Sequence, residues 1–423
     1  MKRYDSYKDS GVKWIGEIPS HWKVKTLRSF LRIISDKGHP KEQLLSVVRE
    51  QGVIIRNTVS KDENHNFIPD DLRGYKLVRE GQFVINKMKS WQGSYAVSNY
   101  QGIVSPAYYT CDLRFDNKEF FNIAIRSKAY VPFFSQYSKG IRVGQWDLDP
   151  INLKRIPFFL PPLSEQHAIV SFLDTKLGKI DTYIDKERQL IELLKELKQS
   201  LIARAVTHGI DPNVKMKPSG INWIGEIPEH WNVKRLGSHF IENRHINSEL
   251  TVTEAYKFNY GTLIRKDIDV NLKEVEDIYR KYTLLNKNDI VINGLNLNYD
   301  FISQRVAKAE TKGIITSAYL VLTPRKGVDV NYFCYLFKAM DSQKLFHGMG
   351  SGIRLTLSFE DLKSQLLPIP PLSEQRAIVD YLQDKTSKID KLITEKTREM
   401  EYIKELRQRI ISDAVTGKID VRS

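Results

Sequence analysis

Cysteine is nearly absent: Cys111 and Cys334 are the only two in 423 residues, far from each other and from any histidine-rich cluster. That makes a disulfide framework or a zinc site improbable and suits a reducing cytosol. No apolar run approaches the ~18 residues of a membrane span, and the opening residues MKRYDSYKDS lack the apolar core of a signal peptide. A cytoplasmic protein without membrane attachment is expected. No GxxxxGK[ST] loop occurs, and the glycines from Gly348 do not follow a convincing strand as a dinucleotide fingerprint should. Asn-Pro-Pro or Asp-Pro-Pro followed by an aromatic, which would hold an amino group for methyl transfer, is missing as well. The chain therefore reads as having no catalytic residues, no metal ligands and no cofactor of its own.

Acidic residues are also in short supply, 51 against 65 Lys and Arg, for a formal charge of +14 and a pI near 9.4. Such a balance suits a polyanionic partner such as nucleic acid. Apolar content of 41% and aromatic content of 10% are those of a chain that buries cores, and the length fits two large domains.

What is present is written twice. WIGEIPSHW from Trp14 returns as WIGEIPEHW from Trp223, and the two copies use four of the six tryptophans. The same offset of 209 carries PPLSEQHAIVSFL at Pro161 onto PPLSEQRAIVDYL at Pro370, KID ending at Asp181 onto KID ending at Asp390, and Ala205–Thr207 onto Ala414–Thr416. The unit is a half-chain in tandem. Between the matched blocks, residues 28–156 and 237–366 share only a faint pattern, QGIVSPAYY against KGIITSAYL and KGIR against SGIR. Each half is a matched frame around a divergent insert, so two domains do one kind of job on two different targets.

The inserts mix β-rich runs such as FVIN at Phe83 and DIVIN at Asp289 with turn residues and the helical stretch NYFCYLFKAM from Asn331. In the matched blocks, Ser164 offers an N-cap after Pro161 and Pro162, predicting a short helix to about Asp174. After Gly178 the spacing of Ile180, Ile184, Ile191, Leu194 and Leu201, widened by Leu190 and Leu197, predicts a long helix. Ile389, Ile393, Met400, Ile403, Leu406 and Ile410 predict its copy. Glycine in THGID and TGKID closes each. About thirty residues give roughly 45 Å, and the cheapest cover for such an apolar stripe is the other one. The expected fold is α+β: two globular domains of mixed α/β structure, each followed by a long helix. The helices pair as an antiparallel coiled coil about the pseudo-two-fold axis of the tandem duplication. His21 and His230, beside tryptophan, read as packed or hydrogen-bonded rather than catalytic.

The repeated strings SGVKWIGEIPSHWKVKTL, PPLSEQHAIVSFLD, KID and LIARAVTHGID closely resemble the specificity (S) subunit of type I restriction-modification enzymes over essentially the full chain. The resemblance implies a non-catalytic subunit with two target-recognition domains, each reading one half of a split, asymmetric site in double-stranded DNA. It implies a coiled-coil spacer, methyltransferase (M) subunits docked on the frame, two of them expected, and motor-nuclease (R) subunits that cut unmodified DNA. S-adenosylmethionine, ATP and Mg would belong to those partners. Its domain layout would be 1–160 for the first recognition domain with its opening motif at 11–27, and 161–211 for the central helical block. A linker and second opening motif would occupy 212–228, the second recognition domain 229–369, and the C-terminal helical block 370–423.

Candidate base and phosphate contacts lie in polar loops of the inserts. In the first they are Lys87, Lys89, Trp91, Gln92 and Ser94 of NKMKSWQGSY, with Arg142, Gln145 and Trp146 after the KGIR turn. In the second they are Asn293, Asn296, Asn298, Tyr299, Gln304 and Arg305, with Arg354 matching Arg142. Arginine suits guanine, and asparagine or glutamine suits adenine. A coiled-coil scaffold that binds no DNA is the competing expectation, one that leaves two divergent basic domains unexplained.

Overall fold

The computed structural model describes residues 2–56, 68–140, 146–266, 272–298, 304–350 and 355–422. The chain divides into two compact units, Met1–Glu187 with Arg398–Ser423, and Arg188–Thr397. Among the described residues no helix is long and apolar enough to cross a membrane, and no group of three or more His, Cys, Asp or Glu could hold a metal ion. Cys111 and Cys334 are free and buried, and burial pushes the Cys111 thiol up to about 12.

In the first unit, β1 (Leu31–Ile34), β2 (Phe83–Asn86), β3 (Tyr95–Val97) and β4 (Tyr108–Leu113) form an antiparallel sheet in the order β1-β4-β2-β3. The FVIN strand is buried at every position because both its faces are covered. Phe83 and Ile85 face a core shared with the helix Lys118–Arg126, which Asn117 caps by accepting the Phe120 N–H. Val84 faces the other way, toward Leu45, Val47 and Ala96. The second unit repeats the plan with β5 (Phe240–Glu242), β6 (Ile290–Ile292), β7 (Val306–Lys308) and β8 (Leu320–Pro324) in the order β5-β8-β6-β7. Ile290 and Ile292 meet the helix Val330–Ser342, and Val291 meets Leu285 and Ile315.

The frame around each sheet has the same ribbons. Tyr7–Asp9 pairs with Glu17–Pro19, and Lys23–Thr26 with Pro157–Leu160. Displaced by 209 residues, Met216–Pro218 pairs with Glu226–Pro228, and Asn232–Arg235 with Leu366–Ile369.

Two long helices follow, α1 (Leu163–His208, 46 residues) and α2 (Leu372–Val415, 44 residues). The break expected at Gly178 does not occur. A single helical glycine costs about 1 kcal/mol, too little to outweigh the good helix formers on either side. Nor does Ser164 cap: α1 already includes Leu163, and Gln166 donates its N–H to the Pro162 carbonyl. The expected glycine closures are present, with Gly209 at φ +77° and Gly417 at φ +72°, the left-handed conformation that suits glycine.

Each unit's core takes the start of one long helix and the end of the other. In the first these are Ile169, Val170 and Leu173 with Ile410, Ala414 and Val415. In the second they are Ile378, Val379 and Leu382 with Ile202, Ala205 and Val206. Of the apolar stripe, Ile184, Ile191, Ile389, Met400 and Ile410 are buried, and Ile180, Leu194, Leu201, Ile393 and Ile403 are half-buried. Leu406 is 44% exposed, and Leu190 and Leu197 are exposed as well, at 39% and 52%. In the first unit Arg407 Nε donates to Asp181 at 2.9 Å, and in the second Lys198 Nζ donates to Asp390 at 2.6 Å. Tyr183 also donates to Glu399 in the first unit, a hydrogen bond that pushes the phenol up to about 12.

Candidate nucleic-acid interface and the frame that carries it

The repeated motif is a clamp. Trp22 and Trp231 are wholly buried. Trp22 Nε1 donates to Glu165 Oε2 at 2.9 Å, and His21 Nε2 to Glu165 Oε1 at 2.6 Å. In the second unit Trp231 Nε1 donates to Glu374 Oε2 at 3.0 Å, and His230 Nε2 to the same oxygen at 2.7 Å. The glutamates are those of the two PPLSEQ repeats, in the first turns of α1 and α2, where a carboxylate also answers the helix dipole. The next residue fastens the turn: Gln166 Nε2 donates to the Pro161 carbonyl and Gln375 Nε2 to that of Pro370. From the other side the closing glycines press on the same rings. A Cβ on Gly417 would lie 2.3 Å from Pro19 and 3.2 Å from Trp22, and one on Gly209 3.4 Å from Trp231. The expectation for His21 and His230 is met, but their glutamate partners were missed. Their only signal is that both copies keep a histidine and a glutamate 144 residues apart.

The first clamp has an extra layer. Tyr4 donates its hydroxyl to Glu165 at 3.1 Å, and Arg422 lies 3.9 Å from the same carboxylate and over the Tyr4 ring. Burial, then the Glu165 charge, raise the Tyr4 phenol well above its usual value. Asp420 donates its N–H to the Lys2 carbonyl, which ties the two chain ends together, and its side chain pairs with Arg422 at 2.8 Å.

In the first insert, the loop between β2 and β3 folds as a short 3-10 turn, Ser90–Gln92, closed by Gly93 at φ +97°. Leu148 donates its N–H to the Lys87 carbonyl, Lys87 Nζ pairs with Asp147 at 2.9 Å, and Trp91 packs on Trp146 with ring centres 5.1 Å apart. The two stretches singled out from sequence are thus brought together. Their outward residues are Met88, Lys89 and Gln92. Ser94 is buried, at 4% exposure, inside the loop's base.

In the second insert, the loop after β6 is held by its far end. Arg305 Nη1 donates to the carbonyls of Asn293 and Leu295, both at 2.9 Å, and its backbone N–H reaches Asp341 at 2.7 Å. Leu357 donates to the Gly294 carbonyl, and Leu297 to that of Leu355. Arg305, 1% exposed, thus sits as a loop brace, its Nη1 spent on backbone carbonyls. Asn293 caps its own loop by accepting the Leu295 N–H, and Asn298 is half-buried. Asn296, in the left-handed conformation at φ 50°, and Gln304 face outward. Arg142, Gln145, Tyr299 and Arg354 lie outside the described residues.

Residues 228–402 match the family described as type I restriction modification DNA specificity domain. The putative type I restriction enzyme MjaX specificity subunit of Methanocaldococcus jannaschii is 25% identical, the match covering 99% of this chain and 98% of that protein. The MjaVIII specificity subunit of the same organism is 23% identical, with 99% and 98% covered. Among solved structures, a chain from a study titled for complex assembly and conformational transition of the type I R-M system superposes with a TM-score of 0.68. That match has 15% identity and covers 95% of this chain and 99% of the other. The fold is shared, and the resemblance to specificity subunits carried by the repeated strings is borne out.

Proposed function

We propose that this chain, whose residues 228–402 match the type I restriction modification DNA specificity domain and which resembles specificity subunits from end to end, is itself the non-catalytic DNA-reading subunit of such a system. The observation that carries the reading is one frame used twice to brace two unlike loops. The first presents Lys89 and Gln92, and the second Asn296 and Gln304. Each recognition domain reads one half of a bipartite, non-palindromic site. Lysine and arginine contacts to phosphate supply affinity, and the loop amides read base edges.

The helices form an antiparallel coiled coil in this reading. Between the Asp181–Arg407 and Lys198–Asp390 pairs the α1 number rises by 17 while the α2 number falls by 17, as antiparallel register requires. Methyltransferase subunits dock on the helices. Leu193 and Leu197 are 61% and 52% exposed, and their counterparts Tyr402 and Leu406 are 55% and 44% exposed. Large apolar side chains held out at matching positions of both halves fit two copies of one partner. Adenine methylation, with S-adenosylmethionine, and ATP-driven cleavage, with Mg, belong to the M and R partners. Binding of the reconstituted complex to duplex DNA across a salt series tests the reading. Affinity falling linearly in log salt on top of a sequence preference supports it, and no binding at low salt sinks it.

A further inference from the structure

The chain enters and leaves the insert of each unit along one two-stranded ribbon, Lys23–Thr26 with Pro157–Leu160 in the first unit and Asn232–Arg235 with Leu366–Ile369 in the second, and the insert also shares its core with the frame. One ribbon strand begins just after the His-Trp pair. The other runs into the Pro-Pro turn that leads to the clamping glutamate. The carboxylate therefore ties both ends of the connection to the first turn of a long helix. We propose that Glu165 and Glu374 are positioning residues that set the angle of each recognition domain on its helices, and thereby the number of base pairs between the two half-sites. The proposal rests on the DNA-reading function above.

The geometry suits a fine adjustment. A domain of this size has a lever arm of about 25 Å. A turn of about 8° at the clamp moves a reading loop by about 3.4 Å, the rise of one base pair. Only a stiff joint holds such a register. Each glutamate accepts from two ring N–H groups, and charge-assisted hydrogen bonds are short and strongly directional. The joints are not equal. Glu165 also takes Tyr4 and Arg422 and its side chain is 7% exposed, whereas Glu374, among the described residues, takes its histidine and tryptophan alone and is 24% exposed. The first domain is thus the more tightly held, and the C-terminal tail is part of its joint.

The test is methylome sequencing of cells expressing the full chain, wild type or Glu165→Gln, with its methyltransferase partner. The glutamine amide keeps one oxygen for the N–H of Trp22 and the hydroxyl of Tyr4, but it turns its NH2 toward His21 Nε2 and removes the charge from the joint. The expected result is unchanged half-site sequences with discrimination against spacers one base pair longer or shorter reduced about tenfold, the scale of one lost charged hydrogen bond. Glu374→Gln gives the same signature, and Arg422→Ala a smaller one. Wild-type discrimination in Glu165→Gln overturns the proposal, as does a change in the half-site bases. Should Glu165→Gln fail to assemble, His21→Ala and Arg422→Ala decide, since each removes one contact and leaves Trp22 in place; unchanged spacing in both overturns it. A wild-type complex that methylates no bipartite motif refutes the DNA-reading function instead, so the two failures are distinguishable.

Discussion

Trp22 has no exposed surface, yet its one polar atom is satisfied by a glutamate 143 residues away. Replacing it with alanine empties a large cavity and takes one donor from the Glu165 carboxylate. Trp22→Ala should destabilise the first unit by about 3–5 kcal/mol. Calorimetry of the full chain should show the transition of that unit falling while the other holds, and Trp231→Ala should do the reverse. The tail responds to pH. Its hydrogen bond from Arg422 holds the Asp420 carboxyl below the usual range. Stability from that pair is present above the unfolded value and lost as pH falls through the folded one, below about pH 4. Burial raises Asp289, so its ionised form weighs against the second unit at neutral pH, a cost relieved as pH drops. Hydrogen exchange of residues 418–422 should therefore accelerate below about pH 4, and Arg422→Ala should abolish that step. At this scale the repeated strings marked the frame residues but not their partners, since a side-chain pair separated by a whole insert leaves no local pattern. Arg305 shows the converse limit. An arginine in a polar loop looks the same whether it faces solvent or braces the backbone, and only tertiary packing decides.

Among the elements, the sheet strands, the helix from Val330 and the two long helices were legible because period-two and period-3.6 patterns are local. Where α1 begins was not, nor was its passage through Gly178, because one weak residue is outvoted by its neighbours. The exposure of Leu190, Leu197 and Leu406 was not legible for a related reason: periodicity places them in or beside the stripe without saying how wide the covered surface is. Charge reversal tests the pairing of the helices. Asp181→Arg should destabilise the first unit and Arg407→Asp should do likewise, while the double variant should recover most of the loss. The coupling should be about 0.5–1 kcal/mol, as for half-exposed pairs, read by urea denaturation of all four proteins. Leu193→Glu with Tyr402→Glu should leave the melting of the isolated chain within about 1 °C, since surface changes of this kind lie within about 0.5 kcal/mol. The same pair of changes should abolish association with the methyltransferase subunit in size-exclusion chromatography with light scattering.

For the whole molecule, the charge of +14 and the tandem frame were plain in the sequence, and together they pointed to a polyanion read twice. The bases read were not legible, because a side chain selects a base only through its docked position. Unlike loops on like frames require unlike half-sites, and that is the central claim. It is tested most directly by mapping adenine methylation in DNA from cells that carry this chain with its methyltransferase partner, and from cells lacking either one. One motif of two unlike halves, separated by a fixed number of unspecified bases and lost when either chain is removed, is expected. A palindromic motif, or no motif while the two chains are shown to be expressed and associated, would contradict it.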